Sequence, residues 1–516
     1  MFRFNRTLIA GALGLSALFL VGCGGSGSTS TPPLPVSPPP SDNPSFTPIP
    51  DGAWVQIGFG RALNVAGDNI EVYDYTRETC LVAQTTTQES LASLITVEEL
   101  KEDEFEATED KGKLVFSKRS EIPPSCKDDR LITENGPVQT LEHIIHNFND
   151  YYPFFEARGI FDWEQRTTTA RELVNDQTSD DELLEIIINL LHGLDDGHVT
   201  LSASNGFEFS PASLEGTIDG ILQDGFTNQS EISDFNSYIS AQLQRMFEIK
   251  KSYFDDDSFK MAGGENQDTF QWATIGNGVI GYIEVLSMGG ISDTSEEDDL
   301  SASEDLMDRI LTDLAHTEAL IINVMINGGG DLAVADAIAN RFSQEKVTVT
   351  SYQATGYDYS NSPEVSQRIE REMEPTERVS FARPVATIAG PNTYSAAEHF
   401  LLSMRALNHP VCFIGEKSNG ILSAVLDKKL PNNDVRLGLS NMITFDHTGQ
   451  MFEAVGIPVD IEATTFELVD SNSQRNVAMD AAITALGFGY MVDQSEPAHD
   501  CSLTDARLRF ETTAPQ

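Results

Sequence analysis

Val385-Ala386-Thr387-Ile388-Ala389-Gly390-Pro391-Asn392-Thr393-Tyr394-Ser395-Ala396-Ala397-Glu398 is the stretch whose reading decides the fold. Its first five residues are a short apolar run, the pattern of a buried strand, and Gly390-Pro391-Asn392 is turn chemistry. Ala396, Ala397, Phe400, Leu401, Met404 and Leu407 then recur at helical spacing. Ser395 therefore stands where a strand turns into a helix. A serine there has two readings. It is a helix N-cap, a position serine favours. Or it is a nucleophile presented at a sheet end, where free helix N–H groups can also hold an oxyanion.

The same alternation extends around this stretch. Residues 279–285, 319–324, 347–352 and 411–414 read as further strands. Leu306, Met307, Ile310, Leu311 and Leu314 mark one intervening helix, and Leu332, Val334, Ala335, Ile338 and Phe342 another. This predicts an α/β core over residues 271–490 with a largely parallel sheet. Upstream, residues 137–202 read as a helical subdomain. Leu141, Ile144, Ile145, Phe148, Tyr151, Tyr152 and Phe155 form one face, and a Ser179-to-Glu182 capping box opens a second helix. That helix ends in the turn Asp195-Asp196-Gly197-His198. Residues 203–270 are poorly patterned, with one amphipathic helix around 238–249, and residues 51–130 mix short β-like runs with turns, as a small β-rich domain would.

Three features are candidates to act with Ser395. Gly328-Gly329-Gly330 follows a buried strand, and glycines let backbone N–H groups approach a reacting oxygen. Gly329 or Gly330, with Ala396, could form an oxyanion hole. His198 could take the serine proton, because imidazole titrates near working pH. His399 competes by sharing the Ser395 helix, but it lies one turn on and is poorly aimed at the hydroxyl. Glu453 is a carboxylate able to orient a catalytic group or polarise a water.

The ends and the composition set the context. Arg3, Arg6 and the apolar run 8–21 read as a leader over residues 1–22. Leu20-Val21-Gly22-Cys23 resembles the lipobox of bacterial lipoproteins, which makes Cys23 the expected lipidation site. Residues 23–50 are a Ser/Pro/Thr-rich tether and 491–516 a tail. The expected location is the bacterial cell envelope, with the protein lipid-anchored rather than membrane-spanning. In an oxidising compartment the remaining Cys80, Cys126, Cys412 and Cys501 suggest two disulfides. The favoured pairs are Cys80–Cys126 and Cys412–Cys501; four buried thiols are the alternative. No spacing suits a metal, and no cofactor is expected. With 33 basic and 80 acidic residues the net charge is −47, so a nucleic-acid partner is excluded. Oligomeric state is not readable.

Four stretches occur in order: residues 321–330, the Thr393-to-Glu398 run, Ile414-Gly415-Glu416-Lys417-Ser418-Asn419-Gly420, and Glu453-Ala454-Val455-Gly456-Ile457-Pro458-Val459-Asp460. Together they resemble the C-terminal processing (tail-specific) peptidase family and its tricorn-core relatives. The resemblance implies a ClpP/crotonase-like α/β core and serine peptidase activity on peptides or unfolded proteins. It makes Ser395 the nucleophile. The tail-specific branch places a lysine base where this chain has Ile421; Lys417 and Lys428 do not match that position. The tricorn-like branch instead uses a histidine from an upstream turn and a downstream glutamate, positions matched by His198 and Glu453. Two departures accompany the match. The family's Asp-x-Arg becomes Asn323-Val324-Met325, and its peptide-docking PDZ domain is not visible. The alternative reading is a non-catalytic homologue that binds peptide or an apolar ligand in the same cleft.

Overall fold

The computed structural model describes residues 46–492, apart from 110–111, 128–129, 204–205, 230–231, 265–267, 293–297, 358–363, 433–434 and 469–474. The leader, Cys23, the tether up to residue 45, Cys501 and the tail beyond 492 lie outside the described residues.

The sheet that carries the Ser395 stretch has seven strands. In spatial order they are Lys260–Ala262, Phe270–Ile275, Ile280–Val285, Ala319–Asn323, Val385–Ala389, Val411–Gly415 and Ile461–Glu462. The first two junctions are antiparallel and the other four parallel. Its central strands are apolar throughout because both faces are covered. Leu320 and Ile322 join the core on one side, with Phe400, Leu401 and Met404 of the helix Ala396–Ala406. Ala319 and Ile321 join the core on the other, with Ala482 and Ile483 of the helix Val477–Ile483. The glycine run and Ser395 thus leave the carboxyl ends of two neighbouring parallel strands, where α/β sheets place their ligand crevice.

One expected strand of this sheet lies elsewhere. Val347–Gly356 pairs antiparallel with Ile369–Met373 and Met442–Asp446 in a separate four-stranded sheet. It mixes half-buried Thr348, Gln353 and Thr355 with buried residues that include Thr350 and Ser351, so it lacks the two-sided apolar run of a central parallel strand. The interval 203–270 holds two helices, Phe235–Lys251 as expected and also Ile218–Asn228. Gly220 and Gly225 weaken the helical signal of the second. Gly225 is there for packing, because a Cβ would stand 2.4 Å from the Tyr238 hydroxyl.

The upstream helices are Pro137–Tyr151, Trp163–Leu173 and Asp180–Leu191, and the last has the Ser179–Glu182 capping box. The middle helix buries only Thr167 and Ala170, which is why periodicity misses it. Leu141, Ile144, Phe148, Ile187 and Leu190 share their core with Leu426, Leu430, Leu437 and Leu439, from beyond the Ser395 helix. A small sheet makes the same link. Thr200–Ala203, just after His198, pairs with Val435–Ser440, which pairs with Val425–Lys429.

The N-terminal region forms a seven-stranded antiparallel sheet from Gly52–Gln56 to Gly112–Arg119, centred on the ring stack Trp54, Phe105 and Phe116. Cys80 and Cys126 are disulfide-bonded, as expected. Cys412 is buried on the central sheet; its expected pairing falls on residue 501, outside the described residues.

Lys428 joins this sheet to the rest. Its ammonium donates to the Phe59 carbonyl at 2.7 Å and the Gly60 carbonyl at 3.1 Å, lies 3.7 Å from Asp74, and sits over the Tyr151 ring. Asp74 in turn accepts from Lys429 N–H at 3.0 Å. Burial pushes Lys428 down to about 8. Lys428→Ala, which strips a buried carboxylate and two carbonyls of their cation, should cost about 3 kcal/mol in denaturant unfolding. The exposed Lys417→Ala should leave the midpoint in place, and equal effects would contradict the role given to Lys428.

Candidate active site

Ser395 adopts φ +58° and ψ −128°, a strained conformation for a residue with a Cβ. Ser395 is the N-cap of the helix it precedes, in a capping box with Glu398. Its N–H donates to the Ile421 carbonyl at 2.9 Å and to Glu398 Oε2 at 3.2 Å. The cap and nucleophile readings of Ser395 are compatible.

The glycine loop meets this turn directly. At Gly329 (φ +90°) a Cβ would stand 2.6 Å from Ser395 Cβ and 2.9 Å from Ala396 N, so only glycine fits. The Gly329 N–H is taken by Asn327 Oδ1 at 2.8 Å. Gly329 O and Asp331 N bond to the Met288 backbone and pin the loop. Of the three expected oxyanion donors, Gly330 and Ala396 keep N–H groups with no acceptor among the described residues.

Residues 420–423 connect everything else. Their four successive N–H groups are held by two buried carboxylates. Glu398 accepts from Gly420 (2.8 Å) and Ile421 (2.9 Å), and also from the Ser418 hydroxyl (2.6 Å). Glu453 Oε2 accepts from Leu422 (2.8 Å) and Ser423 (2.9 Å). The carbonyls of the same residues face outward to the site. Gly420 accepts from Arg158 at 3.3 Å, Ile421 from Ser395, and Leu422 from His399 Nε2 at 3.0 Å. The Ser423 backbone lies close enough to the His198 imidazole to favour its protonated form slightly.

His198 is half-buried, and its Nδ1 is enclosed with no hydrogen-bond partner. Burial, chiefly, lowers its pKa, so the ring is neutral at neutral pH; Asp196 opposes this. No hydrogen bond joins His198 to the Ser395 hydroxyl among the described residues, and catalytic bonds of this kind often tighten only with substrate. Ser395 is bonded to the four-residue loop at Ile421, and His198 lies near it at Ser423. His399 is near enough to feel the charge of His198, and burial pushes it down to about 3. Its Nε2 is spent on Leu422, so it serves the loop rather than the serine.

Among the described residues no hydrogen bond or ion pair joins Glu453 to Ser395 or His198. Its Oε1 accepts from Arg158 at 2.6 Å, and Arg158 lies 3.3 Å from Asp196 Oδ2. Asp196 accepts from the His198 N–H (3.0 Å), the Tyr152 hydroxyl (2.9 Å) and the Ser440 hydroxyl (3.0 Å). Glu453 therefore reaches the histidine only through backbone and through Arg158. Burial and the Asp196 charge push Glu453 up, to about 8, and burial pushes Glu398 up, to about 7, against its hydrogen bonds. Sequence reasoning missed Arg158, Asp196 and the clamp role of Glu398. Asp196 lies two residues before His198 and was within reach of pattern reading. Arg158, alone in an aromatic stretch, gave no signal.

Ile421, at the position of the expected family lysine, is buried, and its Cδ1 packs against Gly197 in the His198 turn. Asn323 is buried away from this chemistry, donating to the Tyr282 hydroxyl (3.0 Å) and Glu284 (3.2 Å), with Lys250 paired to Glu284. Met325 packs in the adjoining core.

Residues 279–463 match the family model described as Peptidase family S41. This stretch is a peptidase family S41 domain. Its match runs from the strand Ile280–Val285 through Ser395 and Glu453, and His198 comes from outside it. No curated protein sequence matches the chain. Among solved structures, a candidate peptidase from Parabacteroides merdae is 23% identical, with TM-score 0.52 over 68% of this chain and 96% of that one. It shares the fold. Mature CPAF follows at 12% identity and TM-score 0.45, covering 69% and 95% of the two chains. The photosystem II D1 C-terminal processing protease stands at 9% and 0.36, covering 64% and 94%.

Two outcomes follow for the S41 site. Arg158→Met leaves Asp196 and Glu453 buried without a cation and should cost about 3–5 kcal/mol in unfolding; a neutral effect would contradict the clamp. If a neutral His198 activates Ser395, the rate of covalent inactivation should fall at acid pH with a midpoint below the ordinary imidazole value of 6.5. A midpoint above 6.5 would contradict that assignment.

Proposed function

We propose that the chain is a serine peptidase that cleaves peptides or unfolded proteins through an acyl-enzyme. The S41 domain supports a peptidase class, and the strained Ser395, against which the glycine loop packs, carries the finer reading. Ser395 Oγ attacks the scissile carbonyl carbon while its proton passes to His198. The carbonyl oxygen, now an anion, is held by the N–H groups of Ala396 and Gly330. Collapse breaks the C–N bond, and His198 returns the proton to the departing amine. Water, deprotonated by His198, then releases the acyl group and restores the serine. Glu453, Glu398, Arg158 and Asp196 are positioning residues. They hold the loop and turn from which Ser395 and His198 are presented.

The location belongs to the same proposal: a lipid on Cys23 anchors the protein in the bacterial cell envelope, with the body held off the membrane by the tether. The alternative, a non-catalytic homologue binding peptide or an apolar ligand in the same cleft, rested on Asn323 and Met325. Their placement in a buried polar cluster and in the core weakens it.

A serine-directed phosphonate probe separates the two. Labelling of the wild type should be stoichiometric, absent in Ser395→Ala and reduced at least about 100-fold in rate in His198→Ala. His399→Gln should retain labelling. A folded wild type that takes no label would favour the binding homologue.

A further inference from the structure

The segment from Ser210 to Asp219 runs from one half of the site to the other. At its start the Ser210 hydroxyl donates to the Asp196 and Gly197 carbonyls, both at 3.4 Å, and Ser213 N–H donates to Asp195 Oδ1 at 2.7 Å. These bonds fix it to the His198 turn. At its end Ile218 N–H donates to Asn392 Oδ1 at 2.7 Å, a buried bond at the base of the Ser395 turn. A crossing strap of this kind borders any cleft between the two turns.

Asp219 is the last residue of the strap and lies in the first turn of the helix Ile218–Asn228. Its charge reaches the phenol of Tyr394, the residue before Ser395. The Tyr394 ring itself lies against Gly328, where a Cβ would stand 2.9 Å from its hydroxyl. Asp219 is half-buried, and among the described residues no hydrogen bond or ion pair engages its carboxylate. Burial alone acts on it and pushes it up. A helix N-terminus eases a carboxylate at that position. It does not explain why an acid with no partner among the described residues is half-buried one residue from the bond to Asn392 at the base of the Ser395 turn, where desolvation is costly. An incoming cation removes that cost.

We propose that Asp219 is the specificity-determining residue of this site, binding the cationic side chain of a lysine or arginine beside the scissile bond. This rests on the peptidase reading of Ser395. The net charge of −47 gathers cationic chains over the whole surface; Asp219 gives that attraction a position relative to Ser395.

The test is a set of internally quenched peptides in which one arginine, or its neutral isostere citrulline, is moved along an otherwise uncharged sequence. At one position the wild type should cleave the arginine peptide about tenfold faster in kcat/KM than the citrulline peptide. Asp219→Asn should bring that ratio to within about twofold, and Asp219→Glu, which keeps the charge, should restore part of it. Cleavage without an arginine preference, or a preference that survives in Asp219→Asn, overturns the inference and leaves the peptidase reading standing. If no peptide is cleaved, anisotropy of the same peptides on Ser395→Ala decides. Tighter binding of the arginine peptide that disappears in Ser395→Ala/Asp219→Asn supports Asp219 and defeats the peptidase reading. Equal binding defeats Asp219.

Discussion

Four consecutive backbone amides, Gly420 to Ser423, are gripped by two buried carboxylates, and the geometry of the site depends on that grip. Glu398 holds the first two and Glu453 the second two. The oxygens of each carboxyl accept these bonds, and the bonds strengthen when the group is ionised, because each is then charge-assisted. With the N–H groups committed, the carbonyls point the other way. They receive Arg158, the Ser395 N–H and His399, and the His198 ring lies near the Ser423 backbone. Serine and histidine come from chain segments almost two hundred residues apart. The same short piece of backbone bonds the first and neighbours the second.

The arrangement concentrates negative charge. Asp196, Glu398 and Glu453 are all fully buried, and Arg158 is the cation shared by the first and last. Burial of unlike numbers of charges raises the carboxyl pKa values, the direction found for Glu398 and Glu453. For each, stability from the raised carboxyl is fully present below the unfolded value near 4.5. It fades as pH rises through the folded value. The backbone donors and Arg158 limit that loss. A lysine at position 421 would have added a cation to this cluster. Ile421 instead fills the contact with Gly197, and in the proposed mechanism proton transfer falls to the half-buried histidine.

The sequence carried much of the architecture. Apolar runs and helical spacing located the strands Ile280–Val285, Ala319–Asn323, Val385–Ala389 and Val411–Gly415, because two-sided burial writes a continuous apolar signal. Val347–Gly356 was legible as a strand but not as a member of another sheet, since pairing partners leave no local mark. The helix Ile218–Asn228 was hidden by two glycines required for close approach, Gly220 to the Leu214 backbone and Gly225 to Tyr238. At the site, Ser395, His198 and the glycine run were legible from local turn chemistry and from order along the chain. The route from Glu453 to His198 was not. It passes through Arg158 and Asp196, and long-range ion pairs between residues 158, 196 and 453 follow no periodicity. Nor did sequence reveal that the Gly329 amide is already occupied, because that depends on where the Asn327 side chain folds back.

The N-terminal sheet is tied into the same system. Lys428 stands five residues beyond Ser423 on the strand Val425–Lys429, and it is anchored on the Phe59 and Gly60 carbonyls. The Ser395 turn thus belongs to a frame that reaches, through residues 420–423 and the strand Val425–Lys429, to the N-terminal sheet. The most direct test of that frame as a catalytic one is a crystal structure of the covalent phosphonate adduct. The phosphorus should be bonded to Ser395 Oγ, with one phosphonyl oxygen within about 3 Å of the Ala396 and Gly330 N–H groups and residues 420–423 unmoved. An adduct on another side chain, or a phosphonyl oxygen directed away from both amides, would contradict it.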